Sequence, residues 1–196
     1  MKILYIIILS LSITGLQGCA SNKQISKTIP NLETEHNKSI NKPLSMSKSF
    51  PIQLFMNICV ISRGDRTVIA NRSKKFRLTE APPNVASRYL SGHKGKVWGM
   101  KNEYGFFVVS SLSNGLCSVF IHRGNTGQLK ASMESWLLPK NTGITYTKDS
   151  INKKGLNTTT YKIFRGSQAL EQWVITIPKN INGNLKAIMS YQAAKV

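Results

Sequence analysis

Apolar residues fall into three textures along this 196-residue chain. Ile3 to Ile13 is an almost unbroken apolar run, too short to span a bilayer. Residues 20–49 are rich in Ser, Asn, Lys, Thr and Pro. Their apolar positions (Ile25, Ile29, Leu32, Ile40) are isolated and follow no period of 2 or 3.6. From Phe50 the pattern becomes periodic. Phe50, Leu54, Phe55, Ile58 and Cys59 recur at helical spacing, with Pro51 acceptable in a first turn, and Ser62-Arg63-Gly64 interrupts them. Asp65 suits the N-cap of a second short helix carrying Val68 and Ile69. A third helix is predicted from Pro82 or Pro83 through Val85, Tyr89 and Leu90, stopped by Ser91-Gly92.

Strand signals follow. Lys96–Met100, Gly105–Leu112 and Leu116–Arg123 are rich in Val, Phe and Trp, joined by Asn-Glu-Tyr-Gly and Ser-Asn-Gly, both of which suit hairpins. Leu129, Met133, Trp136 and Leu137 mark one face of an amphipathic helix that Pro139 stops. Four more strands are predicted at Gly143–Lys148, Thr158–Arg165, Leu170–Ile177 and Leu185–Tyr191. Lys153-Lys154-Gly155, Gly166-Ser167 and Asn182-Gly183 separate them. Short helices, three strands, a helix and four strands make an α+β domain with antiparallel sheet and no parallel βαβ series.

The residues around the first apolar run change the picture. Lys2 precedes it, and Leu16-Gln17-Gly18-Cys19 follows it, a stretch that resembles the lipobox of bacterial lipoproteins. The resemblance implies cleavage before Cys19, lipid on that cysteine, and a signal peptide at 1–18. Ala20 and Ser21 lack the aspartate of inner-membrane retention, so it implies outer-membrane delivery, with the domain in the periplasm or exposed at the surface. The remaining chain divides into a tether at 19–49, reaching roughly 30 Å as a flexible coil, and a single domain at 50–196. The apolar tryptophan positions, Trp98, Trp136 and Trp173, are all expected in its core.

With lipid on Cys19, Cys59 and Cys117 remain, an even number in an oxidising compartment. A disulfide between them is expected, stapling the first helix to the third strand at a gain of roughly 4 kcal/mol. Two buried free thiols are the alternative. His36, His93 and His122 are scattered and have no ligand spacing, so no metal or other cofactor is expected.

The net charge is +19, and the segment from Pro51 onward holds 21 basic residues against six acidic ones. Such an excess attracts anionic partners, while the dominance of lysine also fits AT-rich codon usage. Arg63, Arg66, Arg72, Lys74, Lys75 and Arg77 crowd six cations into fifteen residues. They form either a patch for a phosphate-rich surface or acidic protein, or a solvated helix face. Phe76 is the one aromatic among them, too few for a series of stacked bases, which argues against single-stranded nucleic acid.

Catalytic patterns are missing. Gly92-His93-Lys94-Gly95-Lys96 lacks the spacer and the hydroxyl residue of a P-loop, and there is no Gly-x-Ser-x-Gly elbow. His122 reads as an exposed strand-end residue. A wall or lipid hydrolase would need acids such as Glu103 or Glu134 to converge in a cleft.

Asn57-Ile58-Cys59-Val60 with Gly64-Asp65, Gly115-Leu116-Cys117-Ser118-Val119-Phe120, Trp136 and Ser190-Tyr191-Gln192 together resemble an uncharacterised family of small Gram-negative (lipo)proteins. The likeness covers residues 55–192. It implies an envelope domain built on the same cysteine pair, and carries no activity or site residues. The expected function is therefore a non-catalytic envelope lipoprotein, held to the membrane through lipid on Cys19 and binding a protein partner or an anionic envelope component. The alternatives are an immunity or inhibitor lipoprotein against a toxin or hydrolase reaching the periplasm, and the hydrolase itself.

Overall fold

The computed structural model describes residues 46–137, 142–180 and 184–194. The expected signal peptide, Cys19, most of the tether, Pro139 and the Asn182-Gly183 turn lie outside them. Among the described residues no helix is long and apolar enough to cross a membrane.

The chain begins with α1 (Met46–Leu54), which runs into a π-helical turn at Phe55–Val60. The helix starts four residues before Phe50, the expected start of the domain, so Pro51 lies inside it rather than in its first turn. The π turn is marked by Ile61 N–H donating to the Met56 carbonyl at 3.0 Å, one residue further back than an α-helical bond. Arg63 and Gly64 then adopt positive φ and break the helix. Asp65 caps α2 (Arg66–Lys75) as its position predicts, its carboxylate accepting from Thr67 N–H at 2.8 Å and Val68 N–H at 3.0 Å. After the two-residue strand β1 (Thr79–Glu80), α3 (Pro83–Leu90) ends at left-handed Ser91.

Three strands form a meander: β2 (Gly95–Asn102), β3 (Gly105–Leu112) and β4 (Cys117–Arg123). The short helix α4 (Leu129–Glu134) leads to β5 (Ile144–Lys153), β6 (Leu156–Arg165), β7 (Gln168–Pro178) and β8 (Ala187–Ala193). The expected groups of three and four strands do not stay separate. β8 pairs antiparallel with both β4 and β7, giving one eight-stranded antiparallel sheet in the order β1-β2-β3-β4-β8-β7-β6-β5. The added strand, β1, is two residues long and pairs Thr79 and Glu80 with Gly99 and Trp98, too brief to leave an alternating pattern.

Strand alternation sends neighbouring side chains to opposite faces. Trp98, Phe107 and Val109 join the main core with Leu54, Phe55, Ile58 and Ile69 from the helices. Val97 and Val108 face the other way, against Ala86, Tyr89 and Leu90 of α3. The sheet is thus covered on one face by α1, the π turn and α2, and on the other, over β2–β4, by α3. The Cys59–Cys117 disulfide joins the π turn to β4 across the main core, with Cα atoms 5.4 Å apart and both residues fully buried.

Two tryptophans are core residues as expected, Trp98 and Trp173. Trp136 is not, and is 51% exposed. The helix that was to carry it ends at Glu134, so Trp136 and Leu137 fall in the following turn and the helical spacing no longer brings Trp136 inward.

A basic aromatic groove as the candidate functional site

The hairpin from β2 to β3 places Lys101 directly opposite Phe106. It is closed by Asn102, whose side-chain carbonyl accepts from the N–H groups of Tyr104 and Gly105 at 3.0 and 3.2 Å. On the other side of β3 the register slips. Phe106 faces Arg123 but Phe107 faces Ile121, leaving His122 as the extra residue of a β-bulge. In a regular strand His122 and Arg123 would point to opposite faces. A bulge sets two consecutive side chains against one partner and turns both toward its face, here the α3 side that carries Phe106. Gly105 makes the close approach possible. Its φ is +150°, and a Cβ there would collide with the Arg123 carbonyl oxygen.

The outcome is an open groove of about 710 Å³ lined by Tyr89, Lys101, Phe106, His122, Arg123, Asn184 and Lys186. Three of the seven are cations and none is an acid. Phe106 stacks on the His122 ring with centroids 5.0 Å apart, and Tyr89 meets the same ring edge-on at 5.7 Å. The imidazole is oriented by both nitrogens. Nδ1 lies 2.9 Å from the Asn184 backbone carbonyl, which can only accept, so Nδ1 carries hydrogen. In the neutral ring Nε2 is then the acceptor for the Tyr89 hydroxyl, also at 2.9 Å. Burial raises the Tyr89 phenol pKa, with Arg88 opposing, so this hydroxyl keeps its proton. His122 is therefore a half-buried, hydrogen-bonded part of the groove, not the exposed strand end its position suggested.

The six cations that the sequence offers as either a patch or a solvated helix face fall on α2 and the turns that flank it. Arg63, Arg66, Lys74, Lys75 and Arg77 are exposed, and Arg72 is half-buried. Of the six, only Arg66 lines one of the five described clefts, beside Lys96. The salt bridges among the described residues are Lys96–Glu80 (3.0 Å) and Lys148–Glu134 (2.7 Å), and neither involves the six.

Of the six acids in the domain, Glu103 and Asp149 are exposed and line none of the five clefts, and the other four have structural partners. Asp65 caps α2 and Glu80 holds Lys96. Glu134 accepts from the Tyr161 hydroxyl at 2.6 Å, and Glu171 from Trp173 Nε1–H at 3.1 Å and the Tyr191 hydroxyl at 3.0 Å. Hydrogen bonds from Lys148 and then Tyr161 hold the Glu134 carboxyl below the usual range. Burial, with Glu134 and Glu171 alongside, pushes the Tyr161 and Tyr191 phenols above theirs. No described cleft is lined by more than one carboxylate. Among the described residues there is no group of three or more His, Cys, Asp or Glu able to hold a metal ion.

Sequence reasoning singled out His122 and Arg123 only as neighbours at a strand end. It missed Tyr89, Lys101, Phe106, Asn184 and Lys186 as site residues. The Asn-Glu-Tyr-Gly turn already implied that Lys101 and Phe106 are cross-strand neighbours, whereas the bulge left no mark in the residue pattern. Comparison of the chain with family models, with curated proteins and with solved structures found no match.

Proposed function

We propose that this chain is a non-catalytic envelope lipoprotein whose domain binds an anionic envelope component in the groove between α3 and the β3–β4 bulge. The observation that carries the reading is the union of Lys101, Arg123 and Lys186 in one acid-free groove around a hydrogen-bonded Tyr89–His122 pair. Charge-assisted bonds to phosphate or carboxylate are stronger than neutral ones, and the surrounding excess of cations draws anions toward the site. Lipid on Cys19 would station the domain at the membrane that carries such groups.

Co-sedimentation with vesicles tests the reading. Phosphatidylglycerol vesicles are expected to bind the wild-type domain at least ten-fold better than phosphatidylcholine vesicles. Lys101→Glu/Arg123→Glu should abolish that preference, while Lys74→Glu/Lys75→Glu, which carries the same charge change on α2, should retain most of it. Equal losses in the two variants would reduce the groove to one part of a diffuse basic surface and reject the reading. The anchor is checked separately: Cys19→Ser should move the protein from the membrane fraction to the soluble fraction, and an unchanged distribution would remove the lipoprotein assignment.

A further inference from the structure

The two edges of the sheet are unlike. At one end lies β1, two residues long. At the other lies β5, ten residues long and, among the described residues, bonded only to β6. Its pairing with β6 runs without a register shift from Ile144↔Arg165 to Lys153↔Leu156, and every β5 residue after Ile144 is exposed. β5 contains no proline. A long regular edge presents a row of unpaired backbone donors and acceptors, which proteins normally shorten, bulge, interrupt with proline or cover.

Beside this edge is a cleft of about 250 Å³. Ile144 and Tyr146 of β5 line it together with Trp136, Leu137 and Trp173, and Glu171 is its one charged residue. It is smaller than the roughly 300–1,000 Å³ of typical small-molecule sites and has room for about one large side chain. Tyr146 is 44% exposed and Trp136 51%, so two aromatic rings stand open beside this edge. Ile144, Tyr146 and Lys148 share a face of β5. Lys148 bonds Glu134 at the end of α4, which fixes that face as the one bearing the cleft.

We propose that β5 is a docking edge for an extended, acidic segment of a partner protein, which adds a ninth strand and inserts one apolar side chain beside Trp136 and Tyr146. Backbone pairing would supply affinity and the cleft specificity, the division of labour in strand addition. Charge selects the occupant. Besides Lys148, which Glu134 neutralises, the β5–β6 hairpin (144–165) carries Lys153, Lys154, Lys162 and Arg165 against the single acid Asp149. A second copy of a chain at +19 would bring like charges together along the whole edge, whereas an acidic strand gains on approach. The proposal is independent of the anion groove, which lies on the opposite face at the β2–β4 end.

Panning a library of random ten-residue peptides against the full-length protein tests it. The winning peptide is then followed by amide hydrogen exchange on wild type and on Trp136→Ala. Winners with acidic excess and one alternating apolar position are expected. They should slow exchange in β5, bind Trp136→Ala at least ten-fold more weakly, and lose binding when a central residue is replaced by proline. Trp136 is exposed, so its loss should not unfold the domain, and unchanged exchange in β3 and β4 verifies this. Three results would overturn the proposal. These are winners that protect the groove strands instead of β5, proline-tolerant binding, or concentration-dependent protection of β5 by the protein alone, which would make the occupant a second copy.

Discussion

Glu134 joins three parts of the molecule with one carboxylate. It sits at the end of α4, accepts from the buried Tyr161 of β6, and pairs with Lys148 of β5. Because these partners hold its folded pKa below the ordinary value of about 4.5, the unfolded chain takes up the proton first as the pH falls. Its contribution to stability is therefore complete above that value and is lost on acidification through the lower folded pKa. Thermal unfolding followed from about pH 6 to pH 3 should show a steeper decline for wild type than for Glu134→Gln. Parallel curves would mean that the carboxylate is not held as described. Gly105 makes the complementary point about backbone. Alanine there meets both an unfavourable φ and the Arg123 carbonyl. Gly105→Ala is expected to destabilise the domain by about 1–3 kcal/mol. If it folds, it should weaken anion binding more than the exposed Gly143→Ala, whose added Cβ would meet nothing within 4 Å.

At the scale of elements, the disulfide and the bulge have separate tasks. The Cys59–Cys117 bridge ties the π turn to the strand whose other end holds His122 and Arg123. Its closure of a chain segment with sequence separation 58 is worth roughly 4 kcal/mol in the chain-entropy account. Urea unfolding of Cys59→Ala/Cys117→Ala should show a loss of about that size, and reductant should lower the stability of wild type but not of the variant. A loss below about 1 kcal/mol would place the stability of this layer in packing alone. The helix boundaries illustrate what was legible at this scale. Asp65, Pro82-Pro83 and Ser91-Gly92 mark helix ends through local chemistry, and the structure puts ends there. Trp136 follows no such rule. Its spacing from Leu129 and Met133 continues a helix that stops at Glu134, and in the turn beyond that end it is exposed.

For the whole molecule, the surplus of cations acts at range while the groove acts on contact. Binding of phosphatidylglycerol vesicles should weaken as salt is raised from about 50 to 500 mM, because exposed charges are screened over a Debye length of roughly 10 Å at 0.1 M. The Lys101→Glu/Arg123→Glu variant should have a shallower salt dependence than wild type. Identical slopes would assign the attraction to net charge and leave the groove without a part in it. The two proposed surfaces lie on different faces and at different ends of one sheet. A ligand in the groove and a strand on β5 can therefore be held together, and each can be removed by mutation without the other.

Residue pattern alone determined the antiparallel α+β texture, seven of the eight strands, the starts of α2 and α3 and Cys59 and Cys117 as the expected bridge. These follow from interactions within a few residues, namely alternation, helical spacing, cap hydrogen bonds and turn conformations. Tertiary structure decided what depends on distant partners. β8 enters between β4 and β7 because backbone hydrogen bonds carry no sequence label, so strand neighbours cannot be read from strand composition. The bulge at His122 arises where β4 must pair with β3 on both sides of the step from Phe106 to Phe107, a constraint set by two strands at once. That single slipped residue turns a histidine and an arginine toward Tyr89, Phe106 and Lys101, and so creates the groove.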